Sequence, residues 1–206
     1  MPAKFIVIEG LDGSGKSTQI ALLAERLRVL GRRVAVTAEP TDSALGGIIR
    51  DALRGGAPRT DSELAALFLA DRVAHNVNPV WGIEKLLADG CDVVCDRYYY
   101  SSLAYQGTRT DEEWVYAMNL RCPNIRRPDL CVFLNLDPER ACDRMRGART
   151  HAELYEHAEA LRRTGASYEA VFRRLRAEGE TIHVINAAHP VDEVADAVFA
   201  AVRALL

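Results

Sequence analysis

The run Gly10-Leu11-Asp12-Gly13-Ser14-Gly15-Lys16-Ser17 carries more chemistry than any other stretch of this chain. It satisfies G-x-x-x-x-G-K-[ST], the phosphate-binding loop. Glycines let the backbone curl until successive N–H groups converge on one anion, the lysine reaches the β/γ-phosphates, and the serine hydroxyl can ligate Mg²⁺. Phe5-Ile6-Val7-Ile8 before it is a short apolar run suited to a buried strand. After Thr18, the residues Ile20, Leu23, Leu27 and Leu30 recur at helical spacing, and Gly31 stands where a helix would end. Strand, loop and helix in that order aim a helix N-terminus at phosphate. A chance glycine-rich turn is the plain alternative, and the flanking elements weigh against it.

The elements that must hold this loop can be read further along. Strands are predicted at Phe5–Ile8, Val34–Thr37, Val93–Cys95, Leu130–Leu136 and Ile182–Ile185. Helices are predicted at Lys16–Leu30, Gly46–Leu53, Asp61–Asn76, Pro79–Ala88, Asp111–Leu120, Pro138–Met145, Ala152–Arg176 and Val191–Leu206. Alternation of this kind predicts a parallel sheet covered by helices on both faces. Ligands of such sheets bind at the carboxyl ends of the strands. That rule selects Glu9 to Ser17, Glu39-Pro40, Asp96-Arg97, Asp137 and Asn186-Ala187 as site candidates.

Asp96 ends a predicted strand beside the phosphate loop, where a carboxylate can organise magnesium. Asp137 competes, but Asp137-Pro138 is well explained as a helix cap and first-turn proline, so Asp96 is preferred. Arg97 follows it into the same crevice, where a guanidinium would clamp phosphate oxygens, or else pair with a surface acid. Tyr98-Tyr99-Tyr100 cannot all be core on one helix face, so one ring is expected toward the cleft. Phe68 and Arg72 share a helix face; spacing alone favours core plus surface over base recognition. Arg144, Arg146 and Arg149 form a short arginine-rich stretch able to close over phosphates, or simply a solvated basic loop. Arg162, Arg163, Arg173, Arg174 and Arg176 read as a charged helix face. No triad of serine, histidine and acid stands out, and the histidines lack zinc-ligand spacing with cysteine.

The bulk numbers bound the answer. The chain has 206 residues, 26 Lys+Arg against 29 Asp+Glu, and a net charge of −3. This favours neither nucleic acid nor an acidic membrane as a partner. No run approaches the roughly 20 apolar residues of a membrane span, and Met1-Pro2-Ala3-Lys4 leaves no room for a signal peptide. Five cysteines without C-x-x-C pairs suit free thiols in a reducing cytoplasm. Residues 1–206 are expected to form a single domain, with a lid at about 144–154.

Assembled, these motifs resemble the thymidylate kinase family, nearly end to end. The resemblance rests on Ile8-Glu9-Gly10 through Thr18, Glu39-Pro40, Phe68 to Arg72, Asp96-Arg97-Tyr98, Ser101-Ser102-Leu103-Ala104-Tyr105-Gln106-Gly107, and Leu136-Asp137-Pro138. It implies a P-loop nucleoside-monophosphate-kinase-like α/β fold, with a five-stranded parallel sheet and a short arginine-rich lid. It implies transfer of the ATP γ-phosphoryl group to dTMP, with Mg²⁺, and commonly a homodimer. By position, Gly10, Asp12, Gly13, Ser14, Gly15, Lys16, Ser17 and Thr18 surround the ATP phosphates, with Ser17 and Asp96 at the metal. Asp12 matches the contact to the sugar 3′-hydroxyl, and Arg50 and Arg97 match the grip on the acceptor phosphate. Phe68 matches the ring on thymine and Arg72 the donor to its edge. Tyr105 matches the aromatic beneath the sugar, with Gln106 near the base edge and Glu39 and Ser101 in the same segments. This alignment reverses the plain reading of Phe68 and Arg72. Some members carry an arginine where this chain has Gly13; those lacking it use lid arginines, and Arg149 ranks first here, with Lys16, Arg97 and Asp96, as catalytic. The rivals are a kinase for another nucleoside monophosphate and a nucleotide-dependent protein switch. A GTPase switch is disfavoured because N-K-x-D is absent.

Overall fold

The computed structural model describes residues 2–144 and 151–206. Five strands, β1 (Phe5–Gly10), β2 (Val34–Ala38), β3 (Asp92–Asp96), β4 (Leu130–Asn135) and β5 (Ile182–Asn186), form a sheet of order β2-β3-β1-β4-β5. Every pairing is parallel. All of β1 is buried, as expected for a central strand covered on both faces. The register sets Ile8 against Asp96 and Gly10 against Leu134, so the ends of β1, β3 and β4 open at one rim of the sheet.

The helices are α1 (Lys16–Val29), α2 (Ala44–Leu53), α3 (Asp61–Val77), α4 (Ile83–Ala88), α5 (Tyr99–Tyr105), α6 (Glu112–Leu120), α7 (Pro138–Arg144), α8 (His151–Ala177) and α9 (Val191–Arg203). Their starts follow local chemistry. Thr60 and Glu63 cap α3 reciprocally. Ser43 accepts from the Gly46 amide at 3.2 Å, and Asp111 from the Trp114 amide at 2.7 Å. Asp137 accepts from Glu139 and Arg140 amides at 3.0 and 3.2 Å, as the capping reading of that residue requires. Helix α1 packs on α9, while α5 packs on α8.

Two expectations need correction. Residues 78–82 are a turn rather than the first turn of a helix: Asn78 Oδ1 accepts from the Val80 and Trp81 amides, and the Gly82 amide donates to the Asn78 carbonyl at 3.0 Å. No helix is expected from the sequence between Asp96 and Asp111, yet Tyr98, Tyr99 and Tyr100, all buried, lead into one there, and Tyr98 is the ring that borders the cleft as expected. That helix is α5, and the three rings stack in succession at 4.9 and 4.4 Å between centroids. Five of the seven α5 residues are buried, more than a single apolar stripe would hold.

Candidate active site

The loop between β1 and α1 takes the shape its glycines allow. Gly10, Gly13 and Gly15 all have positive φ. At Gly10 (φ +154°) a Cβ would lie 2.5 Å from Ser14 Oγ and 2.9 Å from the Leu134 carbonyl, so only glycine fits. Helix α1 begins at Lys16 with no side-chain cap, which leaves its first amides for an anion. Lys16 is buried and donates to the Gly10 and Leu11 carbonyls, both at 3.1 Å. Burial lowers its pKa, with Arg97 adding to the effect and Asp96, Asp12 and Glu9 opposing it. Ser17 and Thr18 are exposed on the first turn, and Ser14 Oγ is buried with no hydrogen bond.

Asp96 ends β3, and its Oδ1 is buried without a hydrogen-bond partner. Burial raises its pKa more than Lys16 and Arg97 lower it. Asp96 and Ser17 line one cavity. An orphaned carboxylate oxygen beside a hydroxyl at the phosphate loop suits Mg²⁺, which keeps several waters and takes few protein ligands. Among the described residues, no cluster of three or more His, Cys, Asp or Glu makes an all-protein metal cage.

Arg97 stands just beyond β3 with φ 67°, an uncommon conformation for a residue with a side chain. Its Nη1 donates to Ser101 Oγ at 3.0 Å and Tyr168 Oη at 3.4 Å, and its Nη2 donates to Asp12. The guanidinium lies 5.6 Å from the Tyr105 ring centroid. Burial works against its charge, but Tyr168, Tyr105, Asp12 and Glu9 around it push its pKa higher still.

Beside Arg97 is a cavity of about 310 Å³, lined by Asp12, Glu39, Pro40, Leu53, Phe68, Arg72, Arg97, Tyr98, Ser101, Tyr105 and Gln106. Every residue that the resemblance assigned to dTMP is in that lining except Arg50. Arg50 instead donates to the Pro40 and Thr41 carbonyls at 3.0 and 2.6 Å. Tyr105 Oη is buried and makes no hydrogen bond of normal geometry, and burial keeps the phenol protonated. Arg72 is 1% exposed. Its Nε donates to Glu39 Oε2 at 2.8 Å, its Nη1 to Ser102 Oγ and Asn119 Oδ1, and its Nη2 to Ser102 Oγ at 3.1 Å. Glu39 also bonds His75 Nδ1 at 2.9 Å, and His75 Nε2 bonds Thr37 Oγ1 at 2.8 Å.

A family model described as Thymidylate kinase matches residues 8–198. The chain belongs to the thymidylate kinase family. A "Probable thymidylate kinase" from Pyrococcus horikoshii is 36% identical, over 98% of this chain and 97% of that protein. One from Pyrobaculum calidifontis is 41% identical over 97% and 95%, and one from Thermococcus onnurineus 36% over 97% of each.

Among the described residues, Arg144 is the arginine of the expected lid stretch that this member of the thymidylate kinase family places beside its phosphate loop. Arg144 ends α7 and donates to the Ala187 carbonyl at 3.1 Å. A Cβ on Gly15 would lie 3.9 Å from Arg144 Nη1, so this guanidinium sits beside the phosphate loop. Arg146 and Arg149 lie outside the described residues. Glu9, a site candidate by its place at the end of the first strand, stands behind Arg97; the sequence reading missed Tyr168 beside it, and Ser102 and Asn119 behind Arg72. Ser102 lay within a quoted motif, but nothing local marks Asn119 or Tyr168. The expected charged face of α8 is present: Arg162 pairs with Glu139 and Glu159, and Arg174 with Glu113.

Proposed function

We propose that this chain transfers the γ-phosphoryl group of ATP to dTMP, giving dTDP and ADP. Family membership supports the activity. The observation that carries the site assignment is Arg97, whose guanidinium joins the phosphate loop, through Asp12, to the wall of the acceptor cavity. Two polyanions can meet only where cations neutralise both, and Arg97 is half-buried on that boundary.

The loop amides of Gly10 to Thr18 and the Lys16 ammonium hold the ATP phosphates. Phe68 stacks on thymine, Tyr105 lies under the sugar, and Asp12 takes the 3′-hydroxyl. Gln106 faces the base edge; Arg72 reaches it only by sharing donors already committed to Ser102 and Glu39. Arg97 grips the acceptor phosphate, and Arg50 joins it by releasing the Pro40 and Thr41 carbonyls. Ser17 and Asp96 would hold Mg²⁺, which when bound neutralises charge on the β- and γ-oxygens. An oxygen of the dTMP phosphate forms the new bond to γ-phosphorus as the bond to the β–γ bridging oxygen breaks, and the electron pair leaves with ADP. The acceptor is ionised near neutral pH, so no general base is needed. Positioning and charge neutralisation by Lys16, Arg97 and a lid arginine supply the rate. Arg149 remains a candidate for that last role, and Arg144, beside Gly15, is a second.

Two copies are expected to associate. Val77, Val80 and Trp81, near the end of α3, are exposed apolar side chains that a partner copy would cover. No helix among the described residues is long and apolar enough to cross a membrane. The five free cysteines suit a cytoplasmic setting. The deciding experiment supplies dTMP, dUMP, CMP, UMP, AMP or GMP with Mg·ATP and follows ADP release. Activity with dTMP is expected to dominate; silence with dTMP and turnover with another acceptor would overturn the assignment.

A further inference from the structure

Glu9 is buried and Arg97 half-buried beside it, yet their hydrogen bonding runs through two hydroxyls. Glu9 Oε1 accepts from the Tyr98 and Ser101 amides at 2.9 and 3.2 Å. Its Oε2 accepts from Ser101 Oγ at 2.9 Å and from Tyr168 Oη at 2.8 Å. Those two hydroxyls are 2.9 Å apart, and both accept from Arg97 Nη1. A hydroxyl has one proton and two lone pairs. Because Glu9 takes the proton of each, both turn lone pairs toward the guanidinium. Either proton could turn instead to the other hydroxyl, at the cost of one donor to Glu9.

We propose that Tyr168 is a positioning residue for phosphoryl transfer: its hydroxyl relays the charge of Glu9 to Arg97 Nη1 and so fixes the plane in which Arg97 meets the acceptor phosphate. Fixing Nη1 leaves Nη2 as the nitrogen directed at Asp12 and the cavity. The relay spans the fold. Glu9 is on β1, Arg97 follows β3, Ser101 is on α5, and Tyr168 is on α8, which follows the expected lid. Tyr168 is fully buried, and its ring packs on Phe133 at 4.9 Å and on Phe172 at 5.5 Å, so the ring has a structural role that its hydroxyl does not share.

This inference rests on the proposed role of Arg97, and a double-mutant cycle separates the two. Arg97→Lys, Tyr168→Phe and the double variant are assayed with dTMP and Mg·ATP. Tyr168→Phe is expected to lower kcat about tenfold, as slight misplacement of a catalytic group does, with KM for ATP within twofold of wild type. In the Arg97→Lys background, Tyr168→Phe should cost nothing more. Phe172→Leu, which loosens the same packing, should lower Tm and leave kcat in place. Glu9→Gln, which keeps the shape and removes the charge, should reproduce the kcat loss and covers the case in which Tyr168→Phe fails to fold. An unimpaired Arg97→Lys would overturn the role of Arg97. An impaired Arg97→Lys beside a wild-type-like Tyr168→Phe, or losses that multiply in the double variant, would overturn the relay alone.

Discussion

Asp96→Asn should make the unliganded protein more stable and the enzyme nearly inactive, two effects of opposite sign from one atom. Asp96 Oδ1 is a buried acceptor with no hydrogen bond, and burial raises the carboxyl pKa despite Lys16 and Arg97 nearby. A buried, unsatisfied polar group costs about 1–3 kcal/mol. Asparagine keeps a polar atom at that spot but removes the charge that burial penalises, which should raise Tm by about 2–6 °C in a chain of this size. The sign with pH follows. A carboxyl whose folded pKa is raised binds its proton more tightly when folded. Its contribution to stability is therefore lost as pH climbs from the ordinary value of 3.8 through the raised one. Asparagine removes that decline, so the gain over wild type should be present at pH 7 and vanish, or reverse, below the unfolded value. The cost appears with Mg·ATP, where the same oxygen would serve the metal: turnover should fall about 10²-fold or more, equivalent to roughly 3 kcal/mol. Thermal melts across pH, with and without Mg·ATP, alongside steady-state ADP release, test both halves. A variant that melts lower at pH 7, or keeps Mg²⁺-dependent turnover within threefold, would refute the reasoning.

Three further outcomes are expected. Lys16→Met or Arg97→Ala should each lower turnover by about 10²-fold, read in single-turnover rates, since each removes a cation needed as charge spreads over the transferring group. Arg72→Leu strands the Glu39 carboxylate beside His75; breaking a buried pair costs about 3–5 kcal/mol, or about 10 °C in Tm by calorimetry. Gly10→Ala, with φ +154° and Ser14 Oγ 2.5 Å from the new methyl, should weaken ATP binding at least tenfold by titration calorimetry, an effect of about 1.4 kcal/mol; unchanged affinity would show that the loop does not need its observed curl.

What could be read from the chain beforehand was what is local. The phosphate loop, the β1 run before it and the α1 periodicity after it are contiguous, and their chemistry fixes their geometry. The same is true of Asp96-Arg97 and of the cap at Asp137. Assigning Phe68, Arg72 and Tyr105 to one cavity needed the family resemblance, because spacing alone made Phe68 and Arg72 core plus surface and said nothing of Tyr105. Other features were not legible for physical reasons. Helix α5 is short and five of its seven residues are buried, so it shows no clean amphipathic stripe. Tyr168 meets Glu9 across a separation of 159 residues, and only the completed fold brings the two hydroxyls and the carboxylate together. Arg50 illustrates the reverse case: its position in the sequence is as expected, but its guanidinium is bonded to the carbonyls of Pro40 and Thr41.

The saturated guanidinium of Arg72 bears on how this protein could be re-engineered. Bonds from Glu39, Ser102 and Asn119 lock it like the keystone of an arch, with β2, α3, α5 and α6 as the stones. An engineer seeking a new pyrimidine could not retune that contact by one exchange, because the first casualty would be the vault itself. Selectivity would have to be redrawn at the looser margin, around Phe68 and Leu53, where side chains can change without bringing the masonry down.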